Sequence, residues 1–189
     1  MKINESARKF FANRRSISVK GLKGPGPGLE DTFKIIQSAL RVPDHGKLEP
    51  WRAILISEKS KFKFIDIIDR RGKEIAIDSG KLEKNKRNVL NTPLIIAVIC
   101  SPKESLKIPE IEQILSTGAL CLNILNNFLV CGWGANWLTG WMAHDRKFGE
   151  EAFDLVETEF VAGFIYVGDY GENPPDRPRP KAEDKITWF

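Results

Sequence analysis

One continuous apolar segment constrains the fold more than any other part of this 189-residue chain. It reads Pro93-Leu94-Ile95-Ile96-Ala97-Val98-Ile99-Cys100 and is rich in β-branched residues. A strand with one solvent-facing side alternates apolar and polar residues, whereas an unbroken apolar run indicates a strand that is covered on both faces. We therefore predict that this segment lies at the centre of a sheet.

Apolar periodicity predicts further elements on either side of this segment. The predicted strands are Trp51 to Ser57, Ala135 to Leu138 and Phe160 to Gly168, and the predicted helices are Glu5 to Asn13, Leu29 to Leu40, Lys59 to Asp69, Lys81 to Asn91, Glu110 to Val130 and Asp145 to Leu155. Gly21 to Gly28 alternates Gly and Pro and is predicted to be a loop. A chain of this length with 42% hydrophobic residues is expected to form a single domain over residues 1–189.

The longest predicted helix, Glu110 to Val130, has a wide apolar face at a helical period. The residues on this face are Ile111, Ile114, Leu115, Gly118, Ala119, Leu122, Leu125 and Leu129. We predict that the face packs in the core. Gly118 and Ala119 are small enough for another helix or chain to approach closely, so an oligomer interface could share the same helix.

The charge distribution indicates which partners suit the chain. Its formal net charge is +4 and its pI is about 8.9, but basic and acidic residues are interleaved instead of forming one basic block. This mixture favours a small anionic ligand over nucleic acid. No apolar run approaches the ~18 residues that cross a bilayer, and the N-terminus lacks the apolar region of a secretory signal. A soluble, cytoplasmic protein that binds neither nucleic acid nor membrane is expected.

The number and surroundings of the cysteines are typical of a protein in a reducing compartment. Cys100, Cys121 and Cys131 are odd in number, lack the spacing of a metal site and lie in apolar surroundings. We predict that all of them are buried, reduced thiols and that the chain holds no metal.

A first candidate binding element is Arg14-Arg15-Ser16, directly after the first predicted helix. Two guanidinium groups and a hydroxyl on neighbouring residues can bind one phosphate from several sides, because the planar fork of Arg matches phosphate oxygens. Triplets of this kind are also common on solvated surfaces, so the motif is informative only in combination with others.

A second candidate is the polar link Leu40 to Trp51, between a predicted helix and a predicted strand. It holds Arg41 and His45 together with two prolines and a glycine, and rigid polar loops on a packed scaffold are frequent binding sites. The same composition also suits an ordinary turn. Asp44 could orient His45 or cap the turn, and we favour the cap.

Together these motifs resemble the nitroreductase family. The resemblance rests on Arg14-Arg15-Ser16, Arg41-Val42-Pro43-Asp44-His45 with Pro50-Trp51, the long helix, Trp137-Leu138-Thr139-Gly140 and Gly163-Phe164-Ile165-Tyr166-Val167-Gly168. It implies an α+β fold with a central, mostly antiparallel sheet flanked by helices. It also implies an intertwined homodimer with two FMN sites at the interface. The strand-prone C-terminus, Lys185 to Phe189, would reach the partner subunit.

The activity implied by the resemblance is reduction of FMN by NADH or NADPH, followed by ping-pong electron delivery to a small acceptor such as a nitroaromatic or a quinone. By resemblance, Arg14, Arg15 and Ser16 of one subunit and Arg41 and His45 of the other would bind FMN, while Trp137, Leu138 and Thr139 would line the flavin. No catalytic side chain is required, because the chemistry takes place on the flavin.

Two departures from the family pattern affect the flavin contacts. Lys47, Leu48 and Glu49 stand where many members have Asn and Gln before Pro-Trp, and Leu138 stands where an Arg is expected. Any polar contact at Leu138 is therefore predicted to use its backbone.

Two alternative functions differ in how far the sequence supports them. A protein that stores or modifies FMN without nicotinamide turnover would share the same flavin contacts. A small nucleic-acid or interaction module would need a basic stripe or an aromatic platform, and the sequence has neither.

Overall fold

A computed structural model describes residues 2–189 of the chain. The helices are α1 (Glu5–Asn13), α2 (Leu29–Ala39), α3 (Lys61–Glu74), α4 (Ser79–Asn91), α5 (Glu110–Val130), α6 (Trp141–His144) and α7 (Arg146–Phe153). The strands are β1 (Leu22–Lys23), β2 (Trp51–Ser57), β3 (Leu94–Cys100), β4 (Gly134–Leu138) and β5 (Phe160–Tyr170). Short 3₁₀ turns lie at Val19–Gly21, His45–Lys47 and Ala182–Asp184.

The strands form one antiparallel sheet in which β5 has the most neighbours. β5 pairs with β1, β3 and β4, and β2 pairs with the other edge of β3. All residues of β3 are buried, as the unbroken apolar run predicts. With helices on both faces, the protein has the predicted α+β fold with a central antiparallel sheet.

The two faces of the sheet bury separate apolar clusters. Ile95, Ala97 and Ile99 of β3 point to one face, where they pack with residues of α3, α4, α6 and α7. Leu94, Ile96 and Val98 point to the opposite face, where they pack with α2 and α5. Successive side chains of a strand alternate between faces, so an all-apolar β3 can supply both clusters.

Helix α5 has the predicted bounds and ends in a Schellman motif. Gly132 has a φ of +85°, and the Gly132 and Trp133 N–H groups donate to the carbonyl oxygens of Leu129 and Phe128 at 3.1 and 3.0 Å. A left-handed residue at this position is usually Gly because it has no Cβ. The helix stop that Gly132 predicts is therefore confirmed.

The predicted burial of the α5 stripe is wrong for part of the helix. The face on the sheet contains Thr117, Leu120, Cys121, Ile124 and Phe128. On the other side, Ile111, Leu115, Leu122 and Val130 are exposed, and a Cβ at Gly118 would meet no atom within 4 Å. The helix is apolar on two faces, and apolar spacing alone did not separate them.

The length of α5 also bears on the expectation about membrane-spanning segments. By length and composition this helix passes the threshold for a bilayer span, although it contains interspersed polar residues. A helix that covers a buried sheet passes the same test, and α5 packs on β3, β4 and β5.

Several other predictions need correction. Leu22 and Lys23, inside the predicted loop, form β1 because they pair with Tyr170 and Asp169 of β5. Cys131 is exposed, since it follows the last turn of α5, whereas the other two cysteines are buried and all three are free. In the single chain, Lys185 to Phe189 forms no strand and its residues are exposed, so its contact with a partner subunit stays a prediction.

Candidate functional site

The Arg14-Arg15-Ser16 segment is held beside strand β4. Arg14 ends helix α1, and its N–H donates to the Phe10 carbonyl at 2.8 Å. Beyond it, the Ile17 N–H donates to the Ala135 carbonyl at 3.0 Å, and the Asn136 side-chain amide donates to the Ile17 carbonyl at 2.6 Å. These bonds fix the backbone of the three candidate phosphate-binding residues.

A cleft of about 830 Å³ opens between this segment and the C-terminal proline-rich segment, residues 174–180. The Arg15 guanidinium donates to the Pro175 carbonyl, and the Arg179 guanidinium donates to the Ala12 carbonyl. The polar and charged residues that line the cleft are Arg14, Arg15, Ser16, Ser18, Asn136, Asp176, Arg177 and Arg179. Guanidinium groups outnumber the single carboxylate, so the cleft suits an anion.

Two buried donors, one at the cleft and one on the adjacent strand β4, have no hydrogen-bond partner within residues 2–189. They are Nη1 of Arg14 and the indole Nε1 of Trp137. Buried polar atoms in folded proteins are nearly always paired, so an unpaired donor needs an explanation. A phosphate group in the cleft, such as that of FMN, would supply a partner for Arg14. Trp137 does not line the cleft, and its Nε1 packs against Gly163 of β5.

The Trp137 indole lies against the sheet because β5 has a glycine, Gly163, where the ring packs. A Cβ on Gly163 would lie 1.9 Å from Trp137 Nε1 and 3.2 Å from the Leu138 carbonyl oxygen. Trp137 and Leu138 pair with Ile165 and Phe164. Leu138 is partly exposed and Thr139 is exposed, so both remain available to a ligand.

Gly163→Ala is expected to displace the Trp137 indole and to destabilise the protein by about 1–3 kcal/mol, the usual effect of overpacking a buried site. Denaturant unfolding would measure the change. Gly171→Ala is the control, because a Cβ at Gly171 meets nothing within 4 Å. Equal stability of the two variants would contradict the packing that we describe.

Arg41 and His45 lie elsewhere in the chain. Arg41 lines a second cleft of about 650 Å³ with Gln37, Ser38, Leu40, Val42, Asp44, Lys47, Glu49 and Trp51. The side chain of Asn123 on α5 donates to the Ala39 and Arg41 carbonyls at 2.7 and 3.3 Å and thereby fixes the end of α2. His45 is exposed, and its Nδ1 lies 2.7 Å from Oε2 of Glu112.

Three residues in the loop after Arg41 have a left-handed backbone conformation. Gly46, Lys47 and Glu49 have φ values of +70°, +55° and +49°. The Asp44 carboxylate accepts the N–H groups of Leu48 and Glu49 at 3.3 and 2.8 Å, which confirms that it caps the turn. Left-handed non-glycine residues are strained and tend to occur at functional sites.

The two clefts share no lining residue. Within one chain, the structure brings Arg14, Arg15 and Ser16 together beside the Trp137 strand, but it does not bring Arg41 or His45 to them. Sequence reasoning missed Asn136, Arg177, Arg179 and Glu112. The two arginines lie in a Pro-rich segment whose composition predicts only an extended chain. Glu112 lies in a helix for which the sequence predicts only a buried apolar face.

The chain is similar in sequence to proteins of one known family. Residues 11–169 match the model of the nitroreductase family. YdjA of Escherichia coli (strain K12), a candidate NAD(P)H nitroreductase, is 28% identical over 162 residues that cover 86% of this chain and 87% of YdjA. YfhC of Bacillus subtilis (strain 168), of the same description, is 26% identical over 183 residues that cover 95% and 92% of the two chains.

Solved structures share the fold. A nitroreductase-like family protein from Bacillus cereus superposes with a TM-score of 0.84 at 19% identity, covering 100% of this chain and 98% of that one. A candidate nitroreductase from Desulfovibrio desulfuricans in complex with FMN gives a TM-score of 0.73 at 19% identity, with coverage of 99% and 98%. Since the family model spans most of the chain and the fold agrees, this protein belongs to the nitroreductase family.

Proposed function

We propose that this protein is an FMN-dependent oxidoreductase that takes hydride from NADH or NADPH and delivers electrons to a small acceptor such as a nitroaromatic or a quinone. The main support is the cationic cleft at Arg14, Arg15 and Ser16, where Nη1 of Arg14 is a buried donor with no partner among residues 2–189. Family membership and the nicotinamide-dependent activity in the names of the relatives agree with it. Bound FMN would supply the hydride and electron chemistry.

The cleft residues would bind the phosphate, and the β4 segment would line the ring. A hydrogen bond to a charged group contributes about 1.5–3 kcal/mol, whereas association costs about 4–15 kcal/mol. Phosphate contacts alone therefore do not reach the roughly 8 kcal/mol that micromolar affinity requires. Burial of the flavin ring against Trp137, Leu138 and Thr139 would supply the remainder.

A second copy of the chain would complete the site with Arg41 and His45. The two clefts are separate in one chain, and the surface offers a large apolar area for association. This area includes Leu29, Phe33, Ile111, Leu115 and Leu122, all exposed on the neighbouring helices α2 and α5. Exposed apolar patches on a protein surface mark interaction sites.

The C-terminus would contribute to the same assembly. Ile186, Trp188 and Phe189 are exposed in the single chain, and β2 is an edge strand of the sheet. An edge strand presents unpaired N–H and C=O groups to another chain. The strand-prone tail of one copy would pair with such an edge of the other.

The test is the visible spectrum and the oligomeric state of the purified protein, followed by rapid mixing with NADH and with NADPH. We expect a yellow dimer whose bound chromophore is released as FMN and is bleached by at least one nicotinamide. A colourless protein, or a monomer that retains FMN, would contradict the proposal. A yellow dimer that neither nicotinamide bleaches would instead favour a protein that stores or modifies FMN.

A further inference from the structure

The loop that carries His45 is fixed against the start of helix α5. Gly46 packs so closely on Ile108 that a Cβ there would lie 2.5 Å from the Ile108 Cδ1 atom. Ile108 is buried just before α5, and its N–H donates to the Ser105 hydroxyl at 3.1 Å. On the other side of His45, the Asp44 carboxylate accepts two backbone N–H groups. The position of His45 is therefore set from both of its neighbours.

This placement puts the imidazole next to a carboxylate. Nδ1 of His45 lies 2.7 Å from Oε2 of Glu112, a distance typical of a charge-assisted hydrogen bond. Glu112 lies in the first turn of α5, where the helix dipole favours a negative charge. A carboxylate only accepts hydrogen bonds, so the shared proton is on the imidazole.

A hydrogen bond at one ring nitrogen of histidine determines the state of the other. With Nδ1–H donated to Glu112, the neutral ring of His45 has no proton on Nε2, and this nitrogen is an acceptor. His45 would then accept a hydrogen bond from FMN and not donate one. The suitable FMN partners are groups that donate, such as a ribityl hydroxyl or a ring N–H.

We propose that Glu112 is a positioning residue that holds His45 in the Nδ1–H form and directs its bare Nε2 to a donor group of FMN. The proposal rests on the proposed function for the identity of the ligand. The Glu112–His45 contact itself lies within one chain and does not depend on FMN.

The experiment is long-range ¹H–¹⁵N correlation spectroscopy of the histidine rings in the full-length protein as purified, at a pH high enough for both rings to be neutral. The chain has only two histidines, His45 and His144, so a His144→Gln variant assigns both rings. We expect His45 to show a protonated Nδ1 and a bare Nε2. Glu112→Ala should move His45 towards the Nε2–H form without changing His144. Glu112→Gln, whose amide oxygen can still accept, should keep much of the wild-type pattern.

FMN affinity provides the second readout. Loss of one positioned hydrogen bond is expected to weaken FMN binding by about 2- to 10-fold in Glu112→Ala, with recovery in Glu112→Gln. An Nε2–H form in the wild type, an unchanged His45 in Glu112→Ala, or full FMN affinity despite a changed ring would each overturn the proposal. The expected ring in a protein that binds no FMN would support the Glu112 contact and contradict only the proposed function.

Discussion

An Arg14→Ala variant is expected to purify with little FMN and to bind added FMN about 10- to 100-fold more weakly than the wild type. Nη1 of Arg14 is buried and has no partner within residues 2–189, so its hydrogen bonds are available to a phosphate. A charge-assisted hydrogen bond contributes about 1.5–3 kcal/mol, and about 1.4 kcal/mol corresponds to a tenfold change in affinity. Flavin fluorescence on titration of FMN would measure the loss.

Arg8→Ala is the matched control for this variant. Arg8 lies on the same helix and has the same charge, but its side chain is 70% exposed and pairs with Glu5 at 3.7 Å. Its removal is expected to leave FMN affinity within about twofold, because surface ion pairs contribute little. Equal FMN content in the two variants would remove Arg14 from the phosphate site.

The largest loss of stability is expected in Glu159→Ala, at about 2–4 kcal/mol, because the buried carboxylate accepts two charge-assisted hydrogen bonds from a guanidinium that is itself 38% exposed. The Arg52 guanidinium donates to the Glu159 carboxylate at 2.7 and 2.8 Å, and Glu159 is only 6% exposed. Arg52 also donates to the Phe153 carbonyl at 3.0 Å, so the pair joins β2 to the segment between α7 and β5. Chemical denaturation at neutral pH would measure the difference.

The control for Glu159→Ala is Glu30→Ala, which removes an exposed pair with Lys34 at 2.6 Å. Its expected effect on the free energy of unfolding is below about 1 kcal/mol. If Glu159→Ala were no more destabilised than this control, the Arg52 pair would not hold the fold.

The same pair predicts how stability depends on pH. The hydrogen bond from Arg52 lowers the pKa of Glu159 from 4.5 to about 2. The folded state therefore binds a proton less readily than the unfolded state. The contribution is complete above about pH 4.5 and is lost as the pH falls towards 2, with an upper limit of about 3 kcal/mol. Glu159→Gln should remove this component from the difference between unfolding at pH 6 and at pH 3.

How far local sequence predicts structure differs between elements of this protein. The bounds of α1, β2 and α5 agree with those predicted, because apolar period, glycine stops and β-branched runs act within a few residues. The buried face of a helix was predicted less accurately than the bounds of the helix. On α2, Leu29 and Phe33 stand at helical spacing, which predicts one apolar side, yet both are exposed, whereas Thr32, Ile35 and Ala39 are buried.

The candidate site also contains some contacts that the local sequence predicts and others that it does not. Arg14, Arg15 and Ser16 are adjacent in sequence, so their common cleft follows from local chain geometry. Arg177 and Arg179 join them only because residues 174–180 return to α1. Glu112 meets His45 across 67 positions of the chain. No local pattern indicates contacts of this range.

By itself, the sequence determined the buried β3 strand, the long helix, the resemblance to the nitroreductase family and the basic triplet after α1. These depend on periodicity and residue type, which act over short distances. Only the tertiary structure decided that Arg41 lies in a separate cleft, that α5 has a second, exposed apolar face and that His45 contacts Glu112. Each of these depends on how distant segments pack, and packing is set by the whole chain and not by any one stretch of it.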